Sequence, residues 1–309
     1  MSSSASSLEA TLGGLLVSVL IATFLYAITC FQAFLYWRTK FNDYLGVRVL
    51  VWAVWVFETM HTTCFWFYLY TILVKYYGVP QEMEQRHWSV TISIVFHGLI
   101  TACVQSYYSY RVYVLSSGRW LIPTICWMLC GMEAVGALAL AILFYRVGPV
   151  VWTEKWEFLA TIDIGVDLAV GVVNTTMLCY YLHRRKTGYR STDQMVTKII
   201  EWSVESGLVT ALAALAILIA CLVAPDTAVY ISMTSFYGKF FSNALLASLN
   251  GRGPFSPFRP MLIPPTQSTM GTMGISTGST VPNFAVHISE TTEMSSFSSP
   301  NKTAFDGVI

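Results

Sequence analysis

Residues 182–203, LHRRKTGYRSTDQMVTKIIEWS, join two long apolar runs and pack Arg184, Arg185, Lys186, Arg190 and Lys198 into one short connection. Short connections rich in Lys and Arg stay on the cytoplasmic side of a bilayer, because they resist translocation. This stretch therefore marks a polytopic membrane protein and fixes the direction in which every neighbouring segment runs.

Working outward from it, seven runs meet the roughly 20 apolar residues that a helix needs to cross the hydrocarbon core: 13–36, 47–74, 88–115, 121–145, 158–182, 202–223 and 228–249. The last two are separated only by Ala224-Pro225-Asp226-Thr227. Pro225 lacks an N–H and disfavours helix at Ala224, so a tight turn is expected there. The first, third and fifth connections, their flanks and the start of the tail hold Arg38, Lys40, Arg48, Arg111, Arg119, Arg184, Arg185, Lys186, Arg190, Lys198, Arg252 and Arg259; the other side has Lys75, Arg86, Arg146 and Lys155. That imbalance puts the N-terminus outside and the C-terminus in the cytoplasm. Trp37, Trp88, Trp120, Trp156 and Trp202 stand at or beside span ends, where an aromatic belt belongs. The expected fold is all-α: a seven-transmembrane-helix bundle. Residues 1–12 form a short outer N-terminus, 13–250 the membrane domain, and 251–309 a Ser/Thr/Pro-rich tail too poor in aromatics to bury a core. MSSSASSLEA lacks the basic start of a cleavable signal, so the first run reads as an uncleaved span.

Composition agrees. Hydrophobic residues make up 55% of the 309-residue chain and charged residues 11%, against about a quarter charged in a soluble domain. A net charge of +1 without a basic face excludes nucleic acid as a partner. All seven cysteines fall inside apolar runs, without zinc-type spacing. No nucleophile elbow, P-loop or dinucleotide fingerprint is present, so neither an enzymatic activity nor a cofactor is expected. His61 and His97 lie at comparable depths and could clasp haem or join Asp163 around zinc, but two histidines fall short of the usual metal set, and no metal is expected.

Several stretches carry a family resemblance: Thr29-Cys30-x-Gln32-x-x-x-Tyr36, Glu58-Thr59-Met60-His61, Tyr110-Arg111 with Ser117-Gly118-Arg119, the run from Tyr180 to Asp193, Glu205-Ser206-Gly207-Leu208-Val209-Thr210, and the run from Ser242 to Arg252. Together they resemble a family of basidiomycete fungal membrane proteins, domain of unknown function 6534, over roughly residues 13–252, most specifically over 180–252. The resemblance implies topology and origin; it supplies no activity and no site.

Function has to be sought in the ionisable residues inside the spans, each of which costs about 2.5–3.5 kcal/mol at a helix centre. Glu58, His61, Glu133, Asp167 and Lys239 fall in the middle third of the membrane. Asp163 and Asp167 share a helical face, as do Lys239 and Asn243. The mid-membrane Lys239 needs a carboxylate, Asp167 or Glu58, and a buried polar cluster of Glu58, His61, Asp163, Asp167, Lys239 and Asn243 is expected between the second, fifth and seventh spans. It serves either as structural glue or as a ligand site. On the cytoplasmic side, Arg111, Arg184, Arg185, Lys186 and Arg190 are candidates for coupling to a cytoplasmic partner, and those of the fifth connection for contact with anionic lipid headgroups, at about 1 kcal/mol per residue. Ser191-Thr192-Asp193-Gln194 reads as a capping box that starts the sixth helix before it enters the bilayer at Trp202.

The reading that follows is a receptor-like sensor of a small-molecule ligand in the lipid bilayer, at the plasma membrane rather than an endomembrane. Transport of a small solute or ion is the alternative, because buried carboxylates and a lysine suit it. A retinal-binding protein is a more distant one: Lys239 suits a Schiff base, but 88–115 contains no acidic counter-ion.

Overall fold

The computed structural model describes residues 2–79, 82, 85–184, 190–223 and 229–251. The chain divides into a unit Met1–Pro260, which holds every described helix, and a unit Met261–Ile309. The second unit, the rest of the tail, the turn expected at Pro225, Arg185 and Lys186 lie outside the described residues, as do the side chains of Arg190 and the capping box.

Eight α-helices are described: α1 Ser2–Thr39, α2 Leu45–Tyr70, α3 Trp88–Leu115, α4 Leu121–Val147, α5 Pro149–Lys155, α6 Glu157–Arg184, α7 Arg190–Val223 and α8 Val229–Asn250. Five carry segments long and apolar enough to cross a membrane: Thr11–Thr39, Trp88–Leu115, Leu121–Val147, Phe158–Arg184 and Ser203–Cys221. The chain is thus a helical, multi-pass membrane protein. α1 starts at Ser2, well before the expected first span, because nothing in SSSASSLEA breaks a helix. α7 begins more than two turns ahead of its apolar segment, as the polar sequence before Ser203 requires.

Polarity is inverted relative to a protein folded in water. Phe24, Met132 and Val135 are 68%, 67% and 69% exposed, whereas Glu58, Lys239 and Ser109 are each 0% exposed. In hydrocarbon, an apolar side chain costs nothing on the outside, while a polar one must find its partner within the bundle. α3 is the central helix, packed against α2, α4, α6 and α8. Small residues set the closest approaches. A Cβ added to Gly98 of α3 would collide with the Cβ of Ala137 on α4, and one added to Gly207 of α7 would meet Thr175 of α6.

Two irregularities shape one end of the bundle. α2 closes on a π-helical turn, Thr71–Lys75, in which Tyr76 N–H donates to Thr71 C=O at 3.0 Å. Gly148 ends α4 at φ 83° and ψ 164°, a conformation reserved for glycine. Pro149 then starts α5 at a position where its missing N–H is no loss. The chain turns sharply there and lays Trp152 against Phe144, with ring centroids 5.6 Å apart.

Candidate functional site

The buried polar residues form two clusters, not one. The first joins α2 to α8. Glu58, His61 and Thr62 share a face of α2, three and four residues apart. From α8, Lys239 reaches that face and uses all three ammonium protons: it donates to Glu58 Oε2, to Thr62 Oγ1 at 2.8 Å and to His61 Nδ1 at 3.2 Å. Ser242 donates to the other Glu58 oxygen. The Tyr26 ring of α1 stands 5.8 Å from the ammonium. Of the two carboxylates expected for Lys239, the structure pairs it with Glu58. An ammonium can only donate, so His61 accepts at Nδ1 and carries its own proton on Nε2.

The second cluster joins α3 to α6. Gln105 Nε2 donates to Asp167 Oδ1 and to the Asp167 carbonyl, the latter at 3.1 Å. One turn along, Ser109 Oγ donates to Asn174 Oδ1 at 3.0 Å, and Asn174 Nδ2 returns to the Gln105 carbonyl at 3.3 Å. Asp167 belongs here because its helix faces α3, whereas Lys239 faces α2. Glu133 of α4 and Tyr237 of α8 border this cluster, and both are among the electrostatic neighbours of Asp167 or Asp163. A surplus of acceptors is left over. Both Glu133 oxygens, Asp167 Oδ2 and Gln105 Oε1 are buried without a hydrogen-bond partner, as is the Tyr237 hydroxyl.

A cavity of about 90 Å³, with room for several water-sized groups, has Asp163, one turn from Asp167 on α6, in its wall. Six helices line it: His61 and Phe65 of α2, Val90, Ser93, Ile94 and His97 of α3, Leu140 and Phe144 of α4, Trp152 of α5, Ala160, Asp163 and Ile164 of α6, and Thr234 of α8. Along α3 the lining runs from Val90 to His97, two turns or about 10 Å. His97 stacks 5.6 Å from Tyr237 and 6.2 Å from His61, and its Nδ1 has no partner. Gly238 makes that stacking possible: a Cβ there would come within 3.0 Å of His97 Nδ1.

Of the remaining candidates, Asn243 is not with the charges. Its Nδ2 donates to the Leu25 carbonyl of α1 at 3.2 Å and to the Lys239 carbonyl at 2.8 Å. Seven residues on, Asn250 repeats the contact with the Gln32 carbonyl at 2.8 Å. Arg111 ties the other end of α3 to α8, donating to Ser248 at 2.6 Å. Arg184 is exposed, with its guanidinium 5.6 Å from the Tyr180 ring centre. Sequence reasoning missed Gln105, Thr62 and Ser242, neutral groups whose presence in a span carries no alarming cost. It also missed Trp152, for which Gly148-Pro149 was the available signal of a new helix.

No curated protein and no solved structure matches the chain. One family model does, and its match begins at Asp167 of the second cluster and runs through Lys239 of the first. Residues 167–254 match the model of a family of unknown function, DUF6534.

Proposed function

We propose that the protein is a seven-span, receptor-like sensor of a small molecule, with its N-terminus outside, its C-terminus in the cytoplasm and the plasma membrane as its site. Two helices beyond the five apolar ones complete the count. α2 has 26 residues and α8 has 22, about 39 and 33 Å of helix, enough for a hydrocarbon core of about 30 Å. Both lose apolarity to Glu58, His61 and Lys239, which are buried against one another. With that count, the charge asymmetry of the connections supports the orientation, and α5 lies outside. The observation that carries the reading is the cavity beneath α5, to which α2, α3, α4, α6 and α8 all contribute. A ligand there touches α3 and α8, whose far ends meet at Arg111 and Ser248, next to the basic connections offered to a cytoplasmic partner or to lipid headgroups.

Transport of a small solute or ion is the second reading, favoured by the unpartnered oxygens of Glu133 and Asp167. One experiment separates the two. An environment-sensitive fluorophore placed at Ser117, at the far end of α3, is followed while small amphipathic compounds are added to proteoliposomes, and compound uptake is measured in parallel. A saturable fluorescence change without uptake, lost when Leu140→Trp fills the cavity, is the result expected of a sensor. Saturable uptake lost in the same variant assigns transport instead.

A further inference from the structure

We propose that the cavity takes a small organic ammonium ion, an apolar or aromatic body bearing one positive charge, with Asp163 as its counter-ion; this rests on reading the cavity as the ligand site. The first support is the charge around it. Asp163 lines the cavity and accepts no hydrogen bond from any described residue. Behind it, Asp167 and Glu133 are 5% and 6% exposed and still have oxygens without a hydrogen-bond partner. The lysine that enters the bundle interior offers no relief, because Glu58, Thr62 and His61 take its three protons. The α4–α6 side of the cavity therefore has more acceptors than donors: beside Asp167 and Glu133 the Tyr237 hydroxyl offers a single proton, and no described cation faces Asp163.

The walls say which kind of cation. A bare metal ion would need converging oxygens, and among the described residues no group of three His, Cys, Asp or Glu side chains can hold one. The rest of the lining is mostly apolar and aromatic, with Phe65, Phe144, Trp152, Ile94 and Leu140 in the same cavity wall as Asp163. Aromatic faces attract an ammonium through their quadrupole, and the gain grows when water is excluded. A carboxylate set among rings thus favours a cation that brings its own apolar body. His61 adds selectivity, since Nε2–H is the polar group it has left and that group repels a second positive centre.

The test uses full-length protein in lipid nanodiscs and three probes of one shape: phenethylammonium, neutral 2-phenylethanol and anionic phenylacetate, compared by thermal shift at matched ionic strength. Phenethylammonium should bind at least about tenfold more tightly than 2-phenylethanol, and Asp163→Asn should erase that margin while 2-phenylethanol binding persists. Asp163→Glu, which keeps the charge, should retain a preference for the cation, and it serves as the control if Asp163→Asn folds poorly. Equal affinity for the cation and the alcohol would overturn the ammonium assignment but leave the cavity a ligand site. Preference for phenylacetate would overturn it too. Failure of all three probes to bind would count against both the ammonium and the sensor reading.

Discussion

At the scale of single residues, the Lys239–Glu58 pair has the most at stake. Both side chains are fully buried, and each satisfies the other within hydrogen-bond reach. Removing one partner strands a charge in a low-dielectric interior, at a cost of about 3–5 kcal/mol. Lys239→Met and Glu58→Gln should therefore each lower the melting temperature of the purified protein sharply. The double variant, which leaves no uncompensated charge, should recover most of that loss. If the double variant melts as low as the sum of the singles, the two residues do not act as a pair. The asparagines on α8 offer a gentler case. Asn243→Ala and Asn250→Ala each remove one contact to an α1 carbonyl, worth about 0.6 kcal/mol inside a membrane protein. The two losses should add, since their positions are about 10 Å apart along the helix. That polar residues had to meet inside the bundle was legible in the sequence. Which carboxylate meets Lys239 was not, because depth along a span follows from residue number, while facing depends on the rotation of each helix about its axis.

At the scale of elements, close packing rests on small residues. Gly98 faces the Cβ of Ala137 with no room for a second methyl. Gly98→Ala should push α3 away from α4 and destabilise by about 1–3 kcal/mol. Ala137→Gly in the same chain should restore stability, because the next atoms a Cβ at Gly98 would meet lie at 3.8 Å and 3.9 Å. Thermal unfolding of the wild type, the two singles and the double reads this directly; an unrescued double would mean the crossing is set elsewhere. Most helices were legible as apolar runs because hydropathy alone defines them. α5 was not, since its seven residues fall below the length of any spanning run. The extension of α1 to Ser2 was hidden for a related reason: serines at a helix end lower its propensity by only about half a kcal/mol each but remove the apolar signal altogether.

At the scale of the molecule, α2 and α8 decide the architecture. They are the helices with the polar face of the first cluster, and they are packed inside the bundle, α8 against α1, α7, α3 and α2. If both cross the membrane, the two ends of the chain lie on opposite sides, the cavity opens outward and the basic connections face the cytoplasm. Glycan-acceptor mapping in cells, with one acceptor at a time in an N-terminal extension, in the α1–α2 connection at Asn42, in the α2–α3 connection at Gly78 and at the native Asn301, tests this most directly. The expected result is modification of the N-terminal extension and of the Gly78 site, with Asn42 and Asn301 bare. A sugar at Asn42 together with Gly78, or at Asn301, would contradict it.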